Sequence, residues 1–193
     1  MKSIAIIGSG PTGIYTFYHL LKNSTPLSVS VFEQADDAGV GMPYNDDDNS
    51  RLMLANIASI EIPPIFMTYL DWLKGQSEAH LARFKVDKTT LHDRQFLPRI
   101  LLGEYFRDSF RTIVKEAKKQ GFEVNIHESA AVTDVIPSST GVTLSVNGTE
   151  IGTWMSPGDF GDKRGVYTPS WWKLKGSQYG KLKSWRVTND GTF

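Results

Sequence analysis

The segment Gly8-Ser9-Gly10-Pro11-Thr12-Gly13 spaces three glycines as GxGxxG. Such a loop can hold a phosphate chain if it leaves a strand and opens a helix. Gly8 then permits the tight turn. Gly10 lets a pyrophosphate approach the backbone where a Cβ would otherwise stand, and Gly13 lets the helix pack closely on the sheet. The first helical N–H groups, with a partial positive charge of about half a unit, face the phosphates. Pro11 removes a donor that would have no helical partner anyway. Glu33 lies 20 residues beyond Gly13. An acid at that distance accepts hydrogen bonds from a ribose hydroxyl pair, and it repels a 2′-phosphate, which disfavours NADP. The competing reading is a tight turn without a ligand and an exposed strand end.

The surrounding pattern supplies the context the loop needs. Residues 3–7 (SIAII) form a nearly continuous apolar run, as expected of a parallel strand buried on both faces. Residues 12–22 place Ile14, Phe17, Tyr18 and Leu21 on one helical stripe, and residues 29–32 (VSVF) predict a second strand. Strand, helix and strand within about 30 residues have the length of one crossover unit. Further on, residues 66–73 and 78–84 predict short helices. Residues 96–120 predict a long one, with Pro98 in its first turn and Gly121 at its stop. Residues 122–127, 131–136 and 142–146 predict strands, the last two joined by a turn over Pro137–Gly141.

A second glycine loop follows Glu33, in Gly39-Val-Gly41-Met42-Pro43-Tyr44. Spacing alone leaves open whether it passes close to a cofactor or is an ordinary surface loop. GSGPTG, the Phe32-Glu33-Gln34 at the end of the second strand, and GVGMPY together resemble the FAD/NAD(P)-binding family of bacterial flavoprotein oxidoreductases. The stretch 91–99 (LHDRQFLPR) resembles that family's segment too, and the likeness covers about residues 1–150. It implies a Rossmann-like, glutathione-reductase-like α/β fold whose ADP site holds FAD, with NAD(P)H as co-substrate in the intact family. Gly8, Gly10, Pro11, Thr12 and Gly13 would then cradle the pyrophosphate. Glu33 would bind the adenosine ribose with Gln34 beside it. Gly41, Met42, Pro43 and Tyr44 would run along the flavin. Val132 would meet adenine through its backbone. Arg99 and Arg94 would lie near the cofactor, against the other reading of solvated charges at a helix start.

Composition narrows the chemistry further. The 193 residues contain no cysteine, which excludes disulfide scaffolds, thiolate metal sites, iron–sulfur clusters and electron relay through a cysteine pair. Lys and Arg total 21, as do Asp and Glu, so the chain is neutral, against a strongly basic nucleic-acid binder. No apolar run reaches transmembrane length and the start lacks a signal-peptide pattern, so the expectation is a soluble cytoplasmic protein. His19, His80, His92 and His127 have no ligand spacing and read as structural or surface residues.

The neutral total is the sum of two unlike parts. Residues 1–150 hold 14 basic and 18 acidic residues, a net of −4. Residues 151–193 hold 7 basic and 3 acidic, a net of +4, with four of the five tryptophans. The compositional boundary lies near Glu150, dividing a partial FAD/NAD(P)-binding domain from a Trp/Gly/Lys-rich tail. The family pattern expects a further strand ending in Ala-Thr-Gly, which occurs nowhere in the chain. An incomplete module with a replaced tail, arising by frameshift, insertion or truncation, is therefore the expectation, and it puts activity in doubt. The alternatives are a binding protein acting through the basic aromatic tail (Trp171, Trp172, Lys173, Tyr179, Trp185, Arg186), whose residue types suit a nucleic acid or a membrane interface although no nucleic-acid motif is present, and an NAD-only dehydrogenase.

Overall fold

The computed structural model describes residues 1–46, 49–138 and 141–154. The chain divides into two compact units, one of Met1–Ala38 with the chain from Ile113 onward, the other of Gly39–Thr112.

The first unit opens with β1 (Ser3–Ile7), α1 (Pro11–Leu20) and β2 (Ser28–Phe32). β1 pairs with β2 in parallel from Ser3↔Ser28 to Ile7↔Phe32. β2 pairs in parallel with β3 (Glu123–His127), giving the order β1-β2-β3. Ile4, Ala5, Ile6, Val29 and Val31 are all buried, as a run without polar alternation requires. α1 contributes Ile14 and Phe17, both fully buried.

A second sheet completes this unit. β4 (Val132–Ser138), β5 (Gly141–Val146) and β6 (Thr149–Trp154) form an antiparallel meander. Val135, Val142, Leu144 and Val146 from the meander bury together with Ala5 and Phe32 of the parallel sheet and with Ala130. Pro137, expected in a turn, is instead paired with Val142 inside β4, and the ladder continues to Ser138↔Gly141. β6 is a strand that the residue pattern does not predict. Asn147 and Gly148 both have positive φ (49° and 81°), the backbone a two-residue hairpin demands, and they join Val146 to its partner Thr149. β6 therefore carries the chain across the change of composition at Glu150.

The second unit is mostly helical. α2 (Tyr69–Gly75) is capped by Thr68, whose hydroxyl accepts from Asp71 N at 3.0 Å. It starts three residues later than its pattern predicts because Phe66 has φ +62°, outside the helical region. α3 (Glu78–Ala82) is capped by Ser77. α4 (Arg99–Lys119) begins at Arg99 and not at Phe96, since Leu54 and Pro98 form an extended bridge and Ala55 N donates to Leu97 O at 2.8 Å. Phe96 is accordingly exposed instead of lying on the helix's buried face. The last turns of α4, with buried Ile113 and Ala117, belong to the first unit. Gly121, at φ +83°, ends the helix, and Phe122 N donates back to Ala117 O. In the second unit Tyr105 is fully buried, donates to Met67 O at 3.0 Å, and packs among Tyr69, Trp72 and Phe106.

Leu144 has no exposed surface and sits in the cluster shared by the two sheets of the first unit. Leu144→Ala should lower the free energy of unfolding by about 3 kcal/mol, read from urea denaturation. An unchanged midpoint would mean that the meander does not pack on the parallel sheet.

Candidate functional site

The first loop leaves β1 where its ladder ends. Gly8 N donates to Phe32 O at 2.7 Å, adding one more rung beyond Ile7. Gly8 then turns with φ +85°, a conformation that glycine adopts without a Cβ penalty. Gly13 is required for a different reason. A Cβ there would lie 2.1 Å from Gly8 O and 3.4 Å from Ile6 Cγ2, so the first turn of α1 closes directly on the loop and β1. Gly10 has φ −71° and ψ −177°, extended backbone open to any residue. It is the N-cap of α1, no side chain caps that end, and Pro11 is the first helical residue. The start of α1 thus offers backbone N–H groups with no capping side chain in front of them, as an anion needs.

Glu33 follows β2 and is buried, 6% exposed. Its backbone is clamped on both sides: Glu33 N donates to His127 O at 2.8 Å, and Ala130 N donates to Glu33 O at 2.7 Å. Its carboxylate faces the glycine turn. Oε2 accepts from Ser9 N at 2.9 Å and from Ser9 Oγ at 2.7 Å. Oε1 accepts from Ala35 N at 3.1 Å. Glu33 is therefore not the exposed strand end that the competing reading requires. Ser9, also buried, joins the site although the glycine motif does not single it out. No feature of the residue pattern marks it as the partner of an acid 24 residues away.

The remaining expected residues of this unit are less engaged. Gln34 is exposed. Val132 opens β4, pairs with Val146, and packs its half-buried side chain against the cluster of Ala5, Phe32 and the meander. His127 stacks on Phe32 with ring centroids 4.5 Å apart.

The second unit holds the other loop. Gly39 (φ +99°) and Gly41 (φ +81°) both take conformations that favour glycine, and Met42–Tyr44 form one 3₁₀ turn. Met42 is 45% exposed. Tyr44 packs its ring on Phe106 at 5.6 Å. Burial pushes the Tyr44 phenol above its ordinary pKa, against the pull of the Arg99 guanidinium, so at neutral pH it is a neutral O–H donor. Arg99 is held at the start of α4, its backbone N donating to Met53 O at 2.9 Å. The Arg99 Nε donates to Leu54 O at 3.4 Å. Arg94 lies apart in an exposed turn, its N–H donating to His92 Nδ1 at 3.3 Å. His80 binds Glu104 at 2.7 Å between α3 and α4. The basic aromatic residues 171–186 lie outside the described residues, and no described helix is long and apolar enough to cross a membrane.

Residues 5–154 match the model of the FAD-NAD(P)-binding family. The uncharacterized protein YdhS of Escherichia coli strain K12 is 63% identical over 147 residues, which are 76% of this chain and 28% of that protein. A probable mitochondrial NADPH:adrenodoxin oxidoreductase of Saccharomyces cerevisiae is 56% identical over 34 residues, 17% of this chain and 7% of its own. The chain thus spans well under a third of the curated relatives it matches. Among solved structures, Tmm from Pelagibacter sp. strain HTCC7211 gives a TM-score of 0.47 at 15% identity, covering 78% of this chain and 33% of its own.

The Ser9–Glu33 contact can be tested without any ligand. Glu33→Ala leaves the buried Ser9 N–H and hydroxyl without their acceptor and should cost about 2–4 kcal/mol in urea unfolding. Glu33→Gln, which keeps one acceptor oxygen, should cost less. An alanine variant as stable as the parent would show that the carboxylate does not hold the turn in solution.

Proposed function

Because this chain belongs to the FAD-NAD(P)-binding family, we propose that it is the FAD-binding portion of a flavoprotein oxidoreductase, taking the ADP moiety at its glycine turn. The observation that carries this reading is the buried Glu33 carboxylate bonded to Ser9 within that turn, beside the uncapped start of α1. Gly8, Gly10, Pro11, Thr12 and Gly13 form the pyrophosphate cradle. Glu33 accepts from the adenosine ribose, with Gln34 at its edge, and the backbone at Val132 meets adenine. Gly41, Met42, Pro43, Tyr44 and Arg99 are assigned to the flavin end.

Three physical points support the assignment. Gly8 and Gly13 are demanded by the fold, one by its positive φ and the other by the carbonyl that its Cβ would strike. Gly10 is not demanded by its backbone, so its lack of a side chain points to a ligand that approaches it. A carboxylate at Glu33 disfavours a ribose carrying a 2′-phosphate, which argues for FAD or NAD over NADP at this position. The likeness of the GVGMPY loop to flavoproteins then favours FAD over NAD alone.

When bound, FAD supplies hydride and electron transfer. This chain's residues bind and orient it. The Tyr44 hydroxyl and the Arg99 guanidinium offer hydrogen-bond donors rather than a base. The complete reaction, with a nicotinamide nucleotide as hydride donor, is proposed for the full-length family protein, of which this chain corresponds to the FAD-binding part. A cytoplasmic location is proposed on the same basis.

The test is direct. The purified chain is mixed with FAD, freed of excess, and its visible flavin band recorded. Retention of the band is expected, and Gly10→Val should abolish retention of FAD and of ADP alike while circular dichroism stays unchanged. A folded parent that retains no flavin would refute FAD binding. A valine variant that binds normally would mean that the cradle is elsewhere.

A further inference from the structure

A glycine inside a long helix is a cost of about 1 kcal/mol relative to alanine. α4 carries one at Gly103, buried in its second turn. A Cβ at Gly103 would lie 2.4 Å from Tyr44 O, 2.9 Å from Tyr44 Cβ and 3.2 Å from the Tyr44 carbonyl carbon. The turn Met42–Tyr44 therefore sits against the helix backbone more closely than any side chain would allow.

The other end of the same loop is seated in the same way. Gly39 has φ +99°, and a Cβ there would stand 2.9 Å from Phe110 Cβ and 3.0 Å from Phe110 Cδ1. Arg99, Gly103, Phe106 and Phe110 recur at spacings of four, three and four, which puts them on one stripe of α4. The last three meet the loop, and the first lies within electrostatic range of it. Arg99 acts electrostatically on Tyr44, Gly103 receives its backbone, Phe106 packs on its ring, and Phe110 faces Gly39. The segment 39–44 thus runs along about two turns of the helix as a strap. No residue of its 3₁₀ turn is buried, and Met42 is 45% exposed.

We infer that Gly103 is a positioning residue for flavin binding: it is the notch in α4 that sets the Gly41–Tyr44 turn in place before a ligand arrives. This rests on the assignment of that turn to the flavin end of FAD. Gly103 touches no ligand. It acts by fixing the backbone that does, so its loss should weaken binding of the flavin end and spare the ADP end. Preorganisation of this kind raises affinity by removing the ordering cost at binding.

The experiment compares FAD with ADP on the same protein, by fluorescence quenching for FAD and calorimetry for ADP. The parent should bind FAD more tightly than ADP. Gly103→Ala should reduce FAD affinity at least about tenfold, leaving ADP affinity and far-ultraviolet circular dichroism unchanged, so that the preference for FAD collapses. Gly75→Ala, where a Cβ meets nothing within 4 Å, should behave as the parent. If Gly103→Ala does not fold, Pro43→Gly decides. It adds no atom against α4 and loosens the turn, so it should lower FAD affinity alone. A parent that binds FAD no more tightly than ADP overturns the flavin assignment of the turn, and this inference with it. A parent that prefers FAD, with folded variants that keep the full preference, overturns only the role of Gly103.

Discussion

The first unit is organised around one buried carboxylate. A carboxylate with 6% exposure is tolerable only if donors replace the water it has lost. Glu33 finds three, from Ser9 N, Ser9 Oγ and Ala35 N. Its own peptide is held between His127 and Ala130. The ends of β1, β2 and β3 therefore meet at a single residue, at the carboxyl edge of a parallel sheet, where open α/β sheets bind their ligands. Gly8 makes the turn that brings Ser9 to the acid, and Gly13 lets α1 start hard against that turn. Without the acid, the glycine loop would lose the contact that fixes its direction.

The second unit solves a similar problem by subtraction. In the 39–44 strap, Tyr44 packs its ring on Phe106. It is also seated by the absence of side chains at Gly39 and Gly103, which lets it lie close against the helix. A loop held by polar contacts could shift by exchanging them for water. A loop seated in a steric notch has no such exchange, because moving away opens a void and moving closer meets the helix. Both units thus fix a loop by glycine and one neighbouring element, the first with charge and the second with shape.

Much of this is legible in the residues. The span of β1 follows from its composition, because an uninterrupted apolar run leading into GxGxxG fits a buried parallel strand and little else. Gly121 marks the stop of α4, because glycine alone takes φ +83° readily. Where pattern and structure differ, a partner distant in sequence decides. α4 starts late because Leu97 and Pro98 pair with the chain near Leu54, and no local pattern records that pairing. Pro137 has the character of a turn residue, yet a strand tolerates it when no hydrogen bond is asked of its nitrogen. β6 is masked for a different reason. Asn147-Gly148 is a strong hairpin signal, but the family pattern points to another kind of strand at that place. Ser9 is invisible as a latch, since serine between glycines has no preference that reveals an acid 24 residues away.

The lone pairs of Glu33 limit what it can contribute to a ligand. A carboxylate offers about four acceptor positions. The protein already fills three, two on Oε2 and one on Oε1. A ribose 2′,3′-diol has two hydroxyls to place. One can be accepted on Oε1 with nothing displaced. The second must take the position of Ser9 Oγ, which can rotate away while Ser9 N keeps its bond. That exchange trades one hydrogen bond for another of the same kind, so its net yield is small. On the proposed ribose assignment, Glu33 would contribute less to raw affinity than a bidentate picture implies, and more to selection. A diol can be accommodated by the exchange, whereas a 2′-phosphate brings negative charge to a buried carboxylate and offers no proton in return.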